Sequence, residues 1–217
     1  MHKPILRRVG LVLLVASLLQ IAWTITVAID SHRFYFDFTV MAASIALLSG
    51  SLSAAHFIRR LAAFGVGASL CYAAFWIATE PLSLILARLR LQAPQTLTDI
   101  GSYVLTAALC TWSVRELSRP EIMADAPNHR LAWVTPRLAF AGGIGFCVLL
   151  GAALVPFAYG ETGARAVRDA NARLRPSFRY HLSGLGVEYG GGITHFSGTV
   201  VAWNDLAVVE LPFAWDE

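Results

Sequence analysis

The chain has 217 residues, 56% of them hydrophobic and only 14% charged, with a net charge of +3. Soluble domains average about 25% charged residues, so this deficit, with several long uncharged runs, sets the chain among membrane proteins. No polar helix interleaves Lys or Arg with aromatics, which excludes nucleic acid as a partner; the basic residues read as topology signals.

Lys3 is the only lysine among 17 basic residues and Ala is abundant, a codon-bias signature of a GC-rich, bacterial genome. Cys71, Cys110 and Cys147 all lie in apolar runs, where cysteine is a small hydrophobe. No Cys/His spacing suits a metal, and no motif calls for a cofactor.

Lys3, Arg7 and Arg8 precede an uncharged run over 9–29. Thr26-Val27-Ala28 would serve as a signal-peptidase site, but a signal core is only about 7–15 residues long. The run is read as an uncleaved first span with its basic end in the cytoplasm. A short polar turn with aromatics follows, suited to an interface. The second span is expected over 38–57, ending at a cytoplasmic hairpin marked by Arg59 and Arg60. The third covers 61–79 and stops at Glu80-Pro81, where proline removes a helical hydrogen bond.

In 82–91, Leu82, Ile85, Leu86 and Leu89 share one helical face, leaving Arg88 and Arg90 off it. The pattern fits a short helix on the outer membrane surface, or an extension of the third span beyond the bilayer. The fourth span, 97–114, is the weakest, because Asp99 falls in its first turn; a carboxylate is tolerated near a helix N-terminus. Residues 115–137 then form an irregular cytoplasmic loop. The fifth span, 138–159, carries no charge and would make a helix of about 33 Å, enough for a hydrocarbon core of about 30 Å.

Five spans place Lys3, Arg7, Arg8, Arg59, Arg60, Arg115, Arg119, Arg130 and Arg137 inside and leave Arg33, Arg88 and Arg90 in the outer loops. Four spans would destroy that bias. The expected fold is therefore a membrane all-α bundle of five transmembrane helices over 1–159, followed by a linker helix (160–176) and a small extracytoplasmic antiparallel β meander (177–217). The location is the inner (plasma) membrane, with the N-terminus cytoplasmic and the C-terminus outside.

Small residues recur every four positions on the second span (Ala42, Ala46, Gly50, Ala54) and on the fifth (Ala139, Gly143, Cys147, Gly151). Such stripes allow close backbone approach. The third span has a similar stripe, Gly65, Ser69 and Ala73, so the pairing stays open. Ionisable residues avoid the span centres; His32, Asp37, Glu80 and Asp99 gather toward the outer ends. Gln20, Thr24 and the serines of the second span are the deepest polar groups.

In the tail, Phe178, Tyr180 and Leu182 alternate with polar residues, a strand signal. Gly190-Gly191-Gly192 reads as a turn. Two more strands meet at Asn204-Asp205; with a two-residue turn, Phe196 faces Phe213, Gly198 faces Leu211 and Val200 faces Val209. One face then holds Phe196, Val200, Val209, Leu211, Phe213 and Trp215, too apolar to remain in water. A sheet this small lacks material for its own core. Its apolar face must lie on the linker helix or on something outside the chain.

No nucleophile or metalloenzyme motif is present. The expected role is non-enzymatic, an accessory, assembly or sensing component that presents its sheet to a membrane or extracytoplasmic protein or to another copy. The alternatives are a small-solute or ion pathway in an oligomer and, third, a membrane-embedded enzyme.

Overall fold

The computed structural model describes residues 2–31, 39–123, 136–174 and 177–217. In order, the elements are α1 (Lys3–Ser31), α2 (Thr39–Leu48), α3 (Leu52–Thr79), α4 (Leu82–Leu91), α5 (Ala93–Leu117), α6 (Pro120–Met123), α7 (Pro136–Tyr159), α8 (Glu161–Arg173), β1 (Arg179–Gly190), β2 (Ile193–Trp203) and β3 (Val208–Asp216). Among the described residues, three helical stretches are long and apolar enough to cross a membrane: Lys3–Ala22, Leu52–Thr79 and Pro136–Tyr159. The protein is thus mostly helical, of membrane type, with a three-stranded antiparallel sheet at its C-terminal end.

The chain divides into two compact units. The first comprises Met1–Ser69 and Leu105–Ile144. Here the boundary expected at Arg59–Arg60 falls instead at Ser49–Ser51. Gly50 has φ 85°, a conformation that glycine adopts at no steric cost, and it ends α2. Arg59 and Arg60 consequently lie within α3, and His56 and Arg59 are buried. The Arg59 guanidinium meets the Met123 sulfur. With 10 residues, α2 is about 15 Å long, half the thickness of the hydrocarbon core; the second span does not have the expected bounds.

A core of Leu6, Val9, Leu47, Ala55, Ile58, Leu117 and Ile122 joins α1, α2, α3, α5 and α6. A Cβ on Gly10 would touch Ser44 and Leu47, and one on Gly50 would lie beside Lys3, so α1 and α2 run antiparallel. The tightest seam is between α3 and α7. A Cβ on Gly143 would come within 2.2 Å of the Phe64 carbonyl oxygen, and one on Gly67 within 2.2 Å of that of Phe140. Backbone lies on backbone there, as small residues permit in lipid. Gly143 also meets Ala68 and Gly67 also meets Ile144, so the two glycines interlock at one crossing of α3 and α7. Gly65 faces Cys110 of α5.

The second unit comprises Leu70–Val104 and Gly145–Glu217. Gly151 faces the Phe75 ring, whereas Gly143 meets Phe64 and Ala68; the later residue of α7 meets the later residue of α3, so the two helices are parallel. Tyr72 of α3 stacks on Tyr103 of α5, with ring centroids 5.4 Å apart. Together with Gly65 and Cys110 in the first unit, this pair shows α5 antiparallel to α3: the later residue of one helix meets the earlier residue of the other.

In the sheet, β2 is central and pairs antiparallel with both neighbours. Gly191 and Gly192, at φ 61° and 81°, make the two-residue turn whose twist suits a hairpin. The second hairpin differs from expectation. Phe196 faces Trp215, Gly198 faces Phe213, Val200 faces Leu211 and Ala202 faces Val209, a slip of two residues. The cause is Asn204. Its backbone N–H donates to the Ala207 carbonyl at 3.0 Å, and its side-chain oxygen accepts from the Leu206 and Ala207 N–H groups at 2.9 and 2.8 Å. This side chain closes a longer loop than a two-residue turn. Because strands have period two, a slip of two keeps every side chain on its face.

The apolar face packs on α8, where Ala166, Ala170 and Val200 are buried with Tyr180, Leu182, Leu211, Phe213 and Trp215 around them. Small residues on α8 let the helix approach closely. The opposite face is covered at one end by α4, where Leu84 is buried against Val201 and Trp203. The six residues expected to meet a partner are therefore on the face that the chain's own linker helix covers.

Candidate functional site

Within the second unit, the last turns of α3, the helix α4, the start of α5 and the α4-side face of the sheet enclose polar groups. Helix α3 stops at Thr79 because Pro81 cannot continue it, and this end sets Glu80 beneath α4. One turn and a half into α4, Arg88 points back. Its Nη1 donates to Glu80 Oε1 at 2.9 Å, and its Nη2 lies 4.0 Å from Glu210 of β3. The Glu80 side chain is 5% exposed. Its second oxygen, Oε2, is buried without a hydrogen-bond partner.

Two cavities open beside this carboxylate. One, of about 520 Å³, is lined by Tyr72, Trp76, Glu80, Arg88, Gln92, Asp99, Tyr103 and Glu210 among others. The other, of about 550 Å³, is lined by Tyr72, Trp76, Glu80, Tyr159, Arg168, His181 and Ser183 among others. Burial lowers the His181 pKa from its ordinary 6.5; the charge of Glu80 acts to raise it and that of Arg88 to lower it. Between β1 and β2 the register shifts at Leu182/Gly184, leaving Ser183 as the extra residue of a bulge. Bulges re-aim side chains, and Ser183 lines both cavities.

Of the expected outer polar cluster, Glu80 and Asp99 line one cavity; His32 and Asp37 lie outside the described residues. Arg88 and Glu210 join them there, and His181 lines the neighbouring cavity that shares Glu80. The signal for Arg88 was the arginine pair off the apolar face of 82–91, but nothing local ties it to Glu80 across a proline. His195 and Asp216 pair at the far end of the sheet, away from these cavities.

The packing stripes divide. On α7, Gly143 is buried and Ala139, Cys147 and Gly151 are half-buried along the seam with α3. On the other stripe Ala42 is exposed and Gly50 is a turn residue, while Ser44 and Leu47 are the buried positions. Helix α7 therefore pairs with α3 along this stripe. The Ser44 hydroxyl donates to the Val40 carbonyl at 2.6 Å, within its own helix.

No protein family, curated protein or solved structure matches this chain.

Proposed function

We propose that this chain is a multi-pass inner-membrane protein of accessory or sensing type that presents the tip of its β1–β2 hairpin to an extracytoplasmic protein partner. The observation that carries this reading is the exposure of Tyr189 and Ile193, 72% and 54%, on either side of the Gly191–Gly192 turn. The broad apolar face is already occupied by α8, so the hairpin tip takes its place as the contact.

The accompanying topology has five legs that alternate in direction: α1, a return leg that includes α2, then α3, α5 and α7. Its support is the packing. Parallel α3 and α7 need one return between them, and antiparallel α5, with 25 residues, is long enough at about 37 Å. Asp99 lowers its apolarity but sits in its second turn. The first eight residues of α3 exceed what a core of about 30 Å requires, which would leave Arg59 and Arg60 near the cytoplasmic interface. On α4, Leu82 and Leu86 are exposed at 71% and 57%, a strip suited to the outer lipid surface.

A photo-crosslinking residue at position 189 of the full chain, in intact cells, is expected to capture one protein, and the adduct should disappear with Ile193→Asp. A C-terminal reporter should be active only outside the cytoplasm. Crosslinks to lipid alone, or a cytoplasmic reporter signal, would end the reading.

A further inference from the structure

The cavity beside Glu80 combines features that no partner contact explains. A carboxylate this buried ordinarily has both oxygens satisfied, since an unmet buried acceptor costs about 1–3 kcal/mol. Arg88 satisfies only Oε1, and Oε2 lacks a donor on a residue that lines open space. The same cavity carries Asp99 and Glu210, so three carboxylates stand against one guanidinium that is already engaged. Its remaining wall includes Tyr72, Trp76 and Tyr103, rings whose faces attract cations.

We infer that this cavity binds an ammonium group carrying an apolar portion, with Glu80 Oε2 accepting its N–H and the aromatic wall holding its carbon atoms. A neutral donor could meet Oε2 but would not answer the excess negative charge. A chloride- or phosphate-like anion is disfavoured by the same charge. The volume of about 520 Å³ falls in the range of small-molecule sites, about 300–1,000 Å³. The ammonium could belong to a free amine or to a lipid headgroup, because the chemistry is shared. The inference stands apart from the hairpin contact and does not need it.

The test is calorimetric titration of the purified full chain in phosphatidylglycerol nanodiscs with butylammonium and, separately, 1-butanol. Saturable binding of the amine alone is expected. Glu80→Gln should weaken it by about tenfold or more, the worth of a hydrogen bond to a charged group, and Asp99→Asn by a smaller factor. Asp99 is exposed, so its variant decides the matter if Glu80→Gln does not fold. Equal binding of amine and alcohol, no binding of either, unchanged affinity in a folded Glu80→Gln or, where that variant does not fold, unchanged affinity in Asp99→Asn overturns the inference. Repeating the titration in phosphatidylethanolamine nanodiscs separates the sources: competition identifies the headgroup as ligand, and undiminished binding identifies a free amine. Both results retain the ammonium.

Discussion

The α3–α7 seam and the α8–sheet layer solve the same packing problem in opposite ways. At the seam, Gly67 and Gly143 remove side chains so that backbones touch. At the sheet, Phe196, Phe213 and Trp215 add rings, with centroids 5.9 and 4.8 Å apart for the two pairs that share Trp215. The difference follows from the surroundings. Lipid tails are as apolar as leucine, so burying a large side chain between spans gains little and close approach gains more. Beside water, removing apolar area is the main drive, about 25 cal/mol per Å², and large side chains are favoured.

The largest effect that could break this comparison is at the seam. Gly143→Leu should cost more than the ~1–3 kcal/mol of ordinary overpacking, because its Cβ would meet backbone and not a movable side chain. Gly145→Leu, two residues away with nothing within 4 Å of its Cβ, should be neutral. Thermal unfolding in detergent reads both; equal melting points for the two variants would show that the seam is not the constraint. In the sheet, the expected loss comes from removing volume. Leu84→Ala, at a fully buried site against Val201 and Trp203, should cost about 2–5 kcal/mol. Intact hydrogen-exchange protection of β2 in that variant would mean that α4 does not hold the sheet.

A smaller effect concerns pH. The lowered His181 pKa means that the unfolded chain takes up a proton before the folded one. Its contribution is therefore complete above about 6.5 and is lost as pH falls from there toward the folded value. The wild type should lose stability over that window, and His181→Gln should lose less. Superimposable melting-temperature profiles for the two would remove burial of His181 as the cause.

How legible these features were depended on how local their causes are. Residues 82–91 emerged as a helix with the expected bounds because Pro81 starts it and its leucines recur at helical spacing. The three strands were readable from alternation, and their faces survived the error in register. That error arose because a side-chain hydrogen bond at Asn204 lengthened the loop. The bulge at Ser183 had an unused trace: apolar positions change from even, Tyr180 and Leu182, to odd, Leu185, Val187 and Tyr189. The break at Gly50 also had a signal, Ser49-Gly50-Ser51, but the Arg59–Arg60 pair was a louder marker of a hairpin and misplaced it. In the candidate site, Glu80 and Asp99 were readable as outer carboxylates. Arg88, Glu210 and His181 were not, because the turn at Pro81 folds Arg88 back on Glu80 and the sheet brings Glu210 and His181 from distant parts of the chain.

Two parallel helices that cross a membrane cannot be consecutive crossings of one chain. The notch that Gly67 leaves on α3 stays open to lipid while α4, α5 and α6 are being made, and only the arrival of α7 fills it. Assembly of the bundle therefore finishes late. A ribosome-stalled intermediate that ends before Gly143 should still offer that groove to any other small-residue helix in the membrane.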